Sequence, residues 1–454
     1  MREPLAPFEG RLPESTASAT LPRGFRAGAA TMGIKASGRT DVAIVAIEGG
    51  LPDASVAAVF TSNALVAAPL ILSQRHLRSL SPVGDGRHGW SRGVVCTAGC
   101  ANAATGAEGL ADQERIAQGF ARGLGTDPER TLAMSTGVIG ARLPADRLGP
   151  EIARLAGQGL SNGFSALSAA AEAMCTTDSR PKSATVLLML PDRAGRPVPV
   201  TVSGIAKGVG MIHPQMATML AILLTDADVT PRILHGLLRP VAARTWDQLT
   251  VDGDTSTNDT VFLFASGAAG SAPLRGGSTE EGLLRDAVEA VARSLARQQA
   301  ADGEGATTLL TCQVSGATDH AEARAVARAV VGSSLVKAAV HGRDPNWGRI
   351  AAAAGNARLA SAGVLEAAGL DADEAQRRAG APARLDPERL RIAICGQDVF
   401  DGIPLPFERA AVRALMDGPE VVVRVDLGLG DGRGEAFGCD LTEAYVIENS
   451  EYTT

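Results

Sequence analysis

The apolar positions of the chain follow two repeats, one typical of β-strands and one typical of α-helices. Short runs rich in β-branched residues predict strands at DVAIVAIE (41–48), SVAAVFTS (55–62) and ALVAAPLILS (64–73). Apolar residues three and four positions apart predict helices at 150–173, 231–246 and 279–299.

Strands and helices come in mixed blocks rather than in strict alternation. This order favours an α+β fold with mainly antiparallel sheets and covering helices over a doubly wound parallel sheet. Residues 1–22 are rich in Pro and polar residues, and we expect them to form an irregular N-terminal lead-in.

Composition narrows the class of protein. The 454 residues are 45% hydrophobic and 20% charged, and the net charge is −7, as is ordinary for a soluble globular protein. A nucleic-acid-binding protein usually has a basic face, so we expect no nucleic-acid partner. No apolar run approaches the ~20 residues of a membrane helix, and the N-terminus lacks the apolar segment of a signal peptide. We therefore predict a cytoplasmic protein without a membrane partner.

The six cysteines are scattered along the chain. Cys96 and Cys100 are close in sequence, but no second Cys or His pair lies nearby to complete a metal site. The histidines show no ligand spacing either. We expect reduced thiols and no bound metal.

The stretch 203–228, SGIAKGVGMIHPQMATMLAILLTDAD, combines a Gly-punctuated segment, a turn at Pro214 and an apolar strand-like run. Thr218 stands just before that run. Its hydroxyl is placed to attack the carbonyl of Ala217, so that hydrolysis would leave Thr218 as a new N-terminus. The freed α-amine, with a pKa near 7.7–8.0, can then activate the hydroxyl. A threonine that simply opens a core strand explains the same residues.

Several long segments resemble the ornithine acetyltransferase family, the glutamate N-acetyltransferases of arginine biosynthesis. In the family's order along the chain, the segments are GFRAGAATMGIKASGRTDVA (24–43), STGVIG (135–140), KGVGMIHPQMATML (207–220), VDGDTSTNDT (251–260), GRDPNWGRI (342–350) and YVIENSEYTT (445–454). The resemblance covers nearly the whole chain.

The resemblance implies an α/β/β/α sandwich with a smaller C-terminal α/β lobe. It implies an α fragment at 23–217 and a β fragment at 218–454, with the lobe beginning at about 361 and the fragments assembling as an α2β2 heterotetramer. The implied reaction is ping-pong transfer of acetyl from N2-acetylornithine to glutamate through acyl-Thr218. No cofactor is implied, although acetyl-CoA can be a second acyl donor.

The resemblance also assigns roles to individual residues. Thr136 and Gly137 of STGVIG would form the oxyanion hole, where preorganised donors stabilise developing charge. The implied substrate contacts are Thr177, Lys207, Thr218, Glu304, Asn449 and Thr454. Thr176 remains an alternative to Thr177.

Two motifs resemble the family without an obvious chemical role. VDGDTSTNDT lacks the glycine and glutamate of a calcium loop, and we expect its Asp and Thr side chains to bond local backbone. GRDPNWGRI is expected to brace the structure.

Departures from the family pattern leave the acyl donor and acceptor open. They are Gln215, Thr97, Cys100 and Thr308. The alternatives are a hydrolase of the same fold, of amidase or aminopeptidase type, and an acyltransferase of a specialised pathway.

Overall fold

The computed structural model describes residues 4–5, 12–81, 85–213 and 219–451. Over these residues the strands are β1 (Phe25–Ala30), β2 (Val42–Ile47), β3 (Ala54–Phe60), β4 (His88–Ser91), β5 (Gly93–Cys100), β6 (Thr131–Val138), β7 (Lys182–Pro191), β8 (Pro197–Lys207), β9 (Leu220–Thr225), β10 (Thr260–Ala265), β11 (Leu309–Ala317), β12 (Arg391–Ile394), β13 (Gln397–Asp401), β14 (Glu420–Asp426) and β15 (Gly432–Cys439).

The α-helices of the same residues are α1 (Ala68–Leu80), α2 (Gly106–Leu124), α3 (Ala145–Gln158), α4 (Ala166–Met174), α5 (Pro231–Arg244), α6 (Thr279–Ala301), α7 (His320–Gly332), α8 (Ser334–His341), α9 (Trp347–Gly355), α10 (Ala362–Ala367), α11 (Ala372–Arg378), α12 (Arg409–Leu415) and α13 (Glu443–Glu451).

Two facing sheets form the main body. One has the strand order β1-β2-β5-β6 and the other β4-β3-β10-β9-β8-β7. Alternate residues of each strand point to opposite faces. Val45 of the first sheet and Ile222 and Phe264 of the second therefore share one buried cluster between the sheets.

Helices cover the outer faces of both sheets. Ile44 on the outer face of the four-stranded sheet packs with Phe120 of α2 and Ile152 of α3. Leu223 on the outer face of the six-stranded sheet packs with helices α5 and α6. This α/β/β/α sandwich confirms the predicted α+β fold class.

A third sheet, of order β13-β12-β14-β11-β15, forms the C-terminal lobe with helices α7 and α9. β11 lies inside this sheet, where it pairs in parallel with β14 and antiparallel with β15. The lobe therefore takes its first strand from Leu309, earlier than the expected start at about 361.

Two of the predicted elements differ from the structure. Residues 68–73 belong to helix α1 rather than to a strand, and Pro69 occupies its first turn, where proline is well tolerated. The helix predicted over 150–173 is two helices, α3 and α4. Between them Ser161 forms a β-bridge with Ala27 of β1. The Gly-rich connection therefore lies along the edge of the sheet.

Candidate active site

A polar cavity of about 140 Å³ lies where the sandwich meets the C-terminal lobe. Different elements supply the lining side chains: β6, β8, the loops after α4 and α6, and α13. The predicted site residues within the described part of the chain all line it, namely Thr136, Gly137, Thr177, Lys207, Glu304 and Asn449. These positions are far apart in sequence, so the fold alone brings them together.

The predicted nucleophile Thr218, the cleavage partner Ala217 and the terminal Thr454 lie outside the described residues. The described chain resumes at Met219, whose backbone N–H donates to Asp259 Oδ1 at 2.8 Å. Asp259 is fully buried, and burial raises the pKa of its carboxyl well above the usual range. A buried carboxyl is thus bonded to the residue next to Thr218.

The end of strand β6 is a close backbone crossing. Gly137 has a φ of 126°, and a Cβ there would lie 2.3 Å from the carbonyl carbon of Gly99 on β5. Only glycine fits this conformation and this approach. The adjacent Cys100 pairs in register with Thr136 and Val138, so the departing position Cys100 lies beside the predicted oxyanion turn.

Asn258 also secures this turn. Its amide donates to Ala101 O at 2.7 Å and to Ser135 O at 2.9 Å. Asn258 belongs to VDGDTSTNDT, and Asp252 of that segment accepts from the backbone N–H of Ile212 at 2.8 Å. The motif thus bonds distant backbone as well as its own, which the sequence analysis did not predict.

Lys207 ends strand β8 with its side chain buried. Its ammonium donates to Thr136 Oγ1 at 3.2 Å and lies 3.8 Å from Asp178 Oδ2. Its backbone oxygen accepts from Gln299 Nε2 of α6 at 2.9 Å. Lys207 is therefore held from both ends and points into the cavity.

Asp178 stands behind this lysine and was not predicted from the sequence. It accepts from Lys182 Nζ at 2.6 Å and from the Gly208 N–H at 2.8 Å. Lys182 is itself fully buried and also pairs with Asp302 at 2.5 Å. Burial alone would raise the pKa of Asp178, but the charges of Lys207 and Lys182 outweigh it and lower that pKa to about 2. The only feature of the sequence that could have pointed to Asp178 is its position directly after Thr177, a candidate substrate contact.

Glu304 presents its carboxylate to the cavity from the loop after α6. Oε1 accepts from Thr177 Oγ1 at 2.9 Å, and Oε2 accepts from Asn449 Nδ2 at 3.0 Å. A Cβ on Gly210 would lie 2.1 Å from Oε2, so the missing side chain makes room for the carboxylate. Among the described lining residues, Lys207 and Glu304 are the charged ones.

The described residues contain neither a candidate metal site nor a candidate membrane-spanning helix. No group of three or more His, Cys, Asp or Glu side chains in that part of the chain is arranged to hold a metal ion. None of the described helices is long and apolar enough to span a bilayer.

A small cavity with opposed charges, set at strand ends of a helix–sheet–sheet–helix sandwich, defines a small-molecule enzyme. The chain belongs to the ArgJ family, whose model matches residues 26–454. The predicted family is thereby confirmed.

Curated relatives align along nearly their whole length. The arginine biosynthesis bifunctional protein ArgJ of Thermus thermophilus is 45% identical over 435 residues, which are 96% of this chain and 99% of that protein. The protein of the same name from a Synechococcus species is 40% identical and covers 97% of this chain and 98% of its own. A crystal structure of the Bacillus halodurans ArgJ protein is 36% identical and covers 51% of this chain and 98% of that chain, with a TM-score of 0.44.

Proposed function

We propose that this chain is a self-cleaving acyltransferase of arginine biosynthesis that moves acetyl from N2-acetylornithine to glutamate. Membership of the ArgJ family supports this function, and so do the relatives named as arginine biosynthesis proteins. The observation that carries the proposal is that Lys207 and Glu304, of opposite charge, line one small cavity.

An α-amino acid presents one carboxylate and one nitrogen at fixed spacing. Lys207 would hold the carboxylate as a point charge. Glu304 would face the nitrogen, which leaves as the amine of ornithine and attacks as the amine of glutamate. Thr177 and Asn449 fix the Glu304 carboxylate through its two oxygens, so one binding site serves both halves of the reaction.

The oxyanion would lie between Thr136 and Gly137. The Lys207 ammonium donates to Thr136 Oγ1, so this oxygen accepts a hydrogen bond there. The hydroxyl hydrogen of Thr136 is then left to donate into the cavity. Together with the Gly137 backbone N–H it supplies the pair of donors that a tetrahedral intermediate needs.

Thr218 would act twice in this scheme. First its hydroxyl attacks the Ala217 carbonyl, and water hydrolyses the resulting ester to give a carboxylate at Ala217 and a free amine at Thr218. That amine then takes the hydroxyl proton as the oxygen attacks the acetyl carbonyl, and the proton passes to departing ornithine. The glutamate amine finally attacks acyl-Thr218 and regenerates the hydroxyl.

The proposal also covers the assembly, the location and the second acyl donor of the enzyme. We infer an α2β2 heterotetramer of the two fragments in the cytoplasm. The relatives are named bifunctional, which supports acetyl-CoA as a second acyl donor. No other cofactor is proposed.

Intact mass spectrometry of the purified protein tests the cleavage step. Wild type should give two fragments that meet at Ala217 and Thr218, and Thr218→Ala should give one uncut, inactive chain. Thr218→Ser keeps a hydroxyl and serves as the control, with slower cleavage expected. An active wild type that remains uncut would falsify the mechanism.

The acceptor is tested with N2-acetylornithine in the presence and absence of glutamate. Ornithine release should depend on glutamate, with N-acetylglutamate formed in equal amount. Equal rates of release without glutamate would instead identify a hydrolase of the same fold.

A further inference from the structure

A second cavity, of about 700 Å³, lies in the C-terminal lobe where the ends of α7, α8 and α9 meet His213. We name it the three-arginine cavity after Arg328 of α7, Arg349 of α9 and Arg358 beyond α9, which all line it. No aspartate or glutamate occurs among the described residues of its lining. The cavity therefore has a strong positive charge without a compensating side chain in its wall.

Arg328 is the deepest of the three arginines. Its Nε and Nη2 atoms are buried and have no hydrogen-bond partner among the described residues. Burial lowers the pKa of Arg328 to about 10, so the guanidinium is still charged at neutral pH. Buried guanidinium nitrogens normally have acceptors. The described residues supply none to these two atoms, so both are available to an external acceptor.

The neighbouring positions strengthen the positive potential. Ser333 and Asn346 cap the N-termini of α8 and α9 through their side chains, and both residues line the cavity. Helix N-termini carry partial positive charge and favour anions. Burial first, and then the Arg328 charge, lower the pKa of His213 to about 4.

The other large cavity between the lobes shows the contrast. Two of its five arginines pair with carboxylates of the same lining: Arg244 with Glu289, and Arg293 with Glu435. The three glutamates of that lining offset part of its positive charge, whereas the described lining of the three-arginine cavity has no carboxylate. An anion is therefore expected at the three-arginine cavity in preference to the interface cavity.

We propose that the three-arginine cavity binds a phosphate-type oxyanion, with Arg328 and Arg349 as its charged contacts. The forked guanidinium matches phosphate oxygens in geometry and charge. The segment GRDPNWGRI supplies Asn346, Gly348 and Arg349 to the cavity, so it has a ligand-binding role besides bracing. His213 lies two residues beyond Met211, which lines the active-site cavity, so the bound anion lies beside the segment that leads to the predicted cleavage turn.

Calorimetric titration of the purified protein with inorganic phosphate, in phosphate-free buffer, tests the site. Arg328→Gln and Arg349→Gln should each weaken phosphate binding by about tenfold or more, the loss expected for a charged hydrogen-bond donor. Arg328→Gln should also raise the melting temperature in the absence of phosphate, because it removes a buried guanidinium with two nitrogens that have no hydrogen-bond partner among the described residues. Phosphate should raise the melting temperature of wild type but not of this variant.

Arg324→Gln is the matched control. Arg324 lies one helical turn before Arg328 on α7 but lines the interface cavity, and burial lowers its pKa in the same way. This variant should bind phosphate like wild type. Phosphate affinity that is lost in Arg324→Gln, or retained in both Arg328→Gln and Arg349→Gln, overturns the proposal, as does wild type without measurable binding.

The source of the phosphate group is resolved with coenzyme A as a second probe. Binding at least tenfold tighter than inorganic phosphate, and lost in Arg328→Gln, would identify a nucleotide-borne phosphate. Equal or weaker binding would identify the free ion. If glutamate bound the site more tightly than phosphate and displaced it, the site would be a carboxylate site. That result would contradict the phosphate assignment.

Discussion

Asp178 is a buried carboxylate shared by two lysines. Lys182 lies 2.6 Å away and Lys207 3.8 Å away, and Lys207 reaches Thr136 in the cavity. Asp178 does not belong to the described lining of the cavity, so we expect it to act by positioning Lys207 and, through it, the predicted oxyanion donor.

The low pKa of Asp178 predicts acid sensitivity. The folded protein holds this group ionised down to about pH 2, whereas the unfolded chain protonates it near 3.9. Its contribution to stability is therefore present above pH 4 and lost as the pH falls towards 2, about 2 kcal/mol in all. Urea unfolding at pH 6 and pH 3 should show a smaller pH-dependent loss for Asp178→Asn than for wild type. An exposed control, Asp127→Asn, should behave as wild type, and an unchanged loss in Asp178→Asn would contradict the assignment.

Residues such as Asp178 and Asn258 could not be assigned from sequence. Their functions lie in contacts with residues 30 and 123 positions away, Gly208 and Ser135, and nothing in their local patterns records those contacts. Lys207 and Glu304 were predicted only because their segments resemble a known family. The structure adds that they share a cavity.

At the scale of elements, the pattern of apolar residues predicted the sandwich strands well. β2 and β3 are buried runs rich in β-branched residues, for which strand structure is strongly favoured. Residues 64–73 were assigned wrongly because a continuous apolar run has no periodicity to distinguish helix from strand. The break between α3 and α4 depends on the pairing of Ser161 with β1, a tertiary contact.

The turn that ends β6 offers a comparison between two glycines. Gly137 and Gly140 both have positive φ, but a Cβ on Gly140 would meet nothing within 4 Å, whereas one on Gly137 would clash with the β5 backbone. Gly140→Ala should lower the free energy of unfolding by about 1 kcal/mol, the conformational part alone.

Gly137→Ala should lower it by about 3 kcal/mol or more, because the strand crossing must open. It should also abolish acyl transfer, while Gly140→Ala keeps activity. Chemical denaturation with a parallel activity assay measures both effects. Similar stability of the two variants would show that the crossing is not rigid.

At the scale of the whole molecule, helix α6 joins the sandwich to the C-terminal lobe. Arg293 makes two hydrogen bonds to Glu435 of β15, one of 2.8 Å, and Arg297 bonds Glu420 of β14 at 2.8 Å. Both guanidinium groups lie over the Phe437 ring, 5.5 and 5.6 Å from its centroid. Ion pairs and cation–π contacts are therefore combined where α6 packs against the C-terminal lobe.

A double-mutant cycle on Arg293→Met and Glu435→Gln measures the coupling free energy of this ion pair. The bidentate, partly buried pair should give a coupling free energy of about 1–2 kcal/mol in urea unfolding. The exposed pair Arg75–Glu114 is the control, with about 0.5 kcal/mol expected. Equal coupling in the two cycles would mean that the lobes gain nothing from this contact.

The order of the six-stranded sheet bears on how the enzyme matures. β9 and β10 follow residue 218 and pair with each other, while their outer neighbours, β8 and β3, precede it. Hydrolysis of the bond between residues 217 and 218 would leave two polypeptides in one sheet. The strands of the C-terminal polypeptide would lie between strands of the N-terminal one. Either polypeptide made alone would expose unpaired strand edges, which promote aggregation. If the proposed cleavage occurs, the intact chain must therefore fold before it is cleaved, and separately synthesised fragments should fail to assemble.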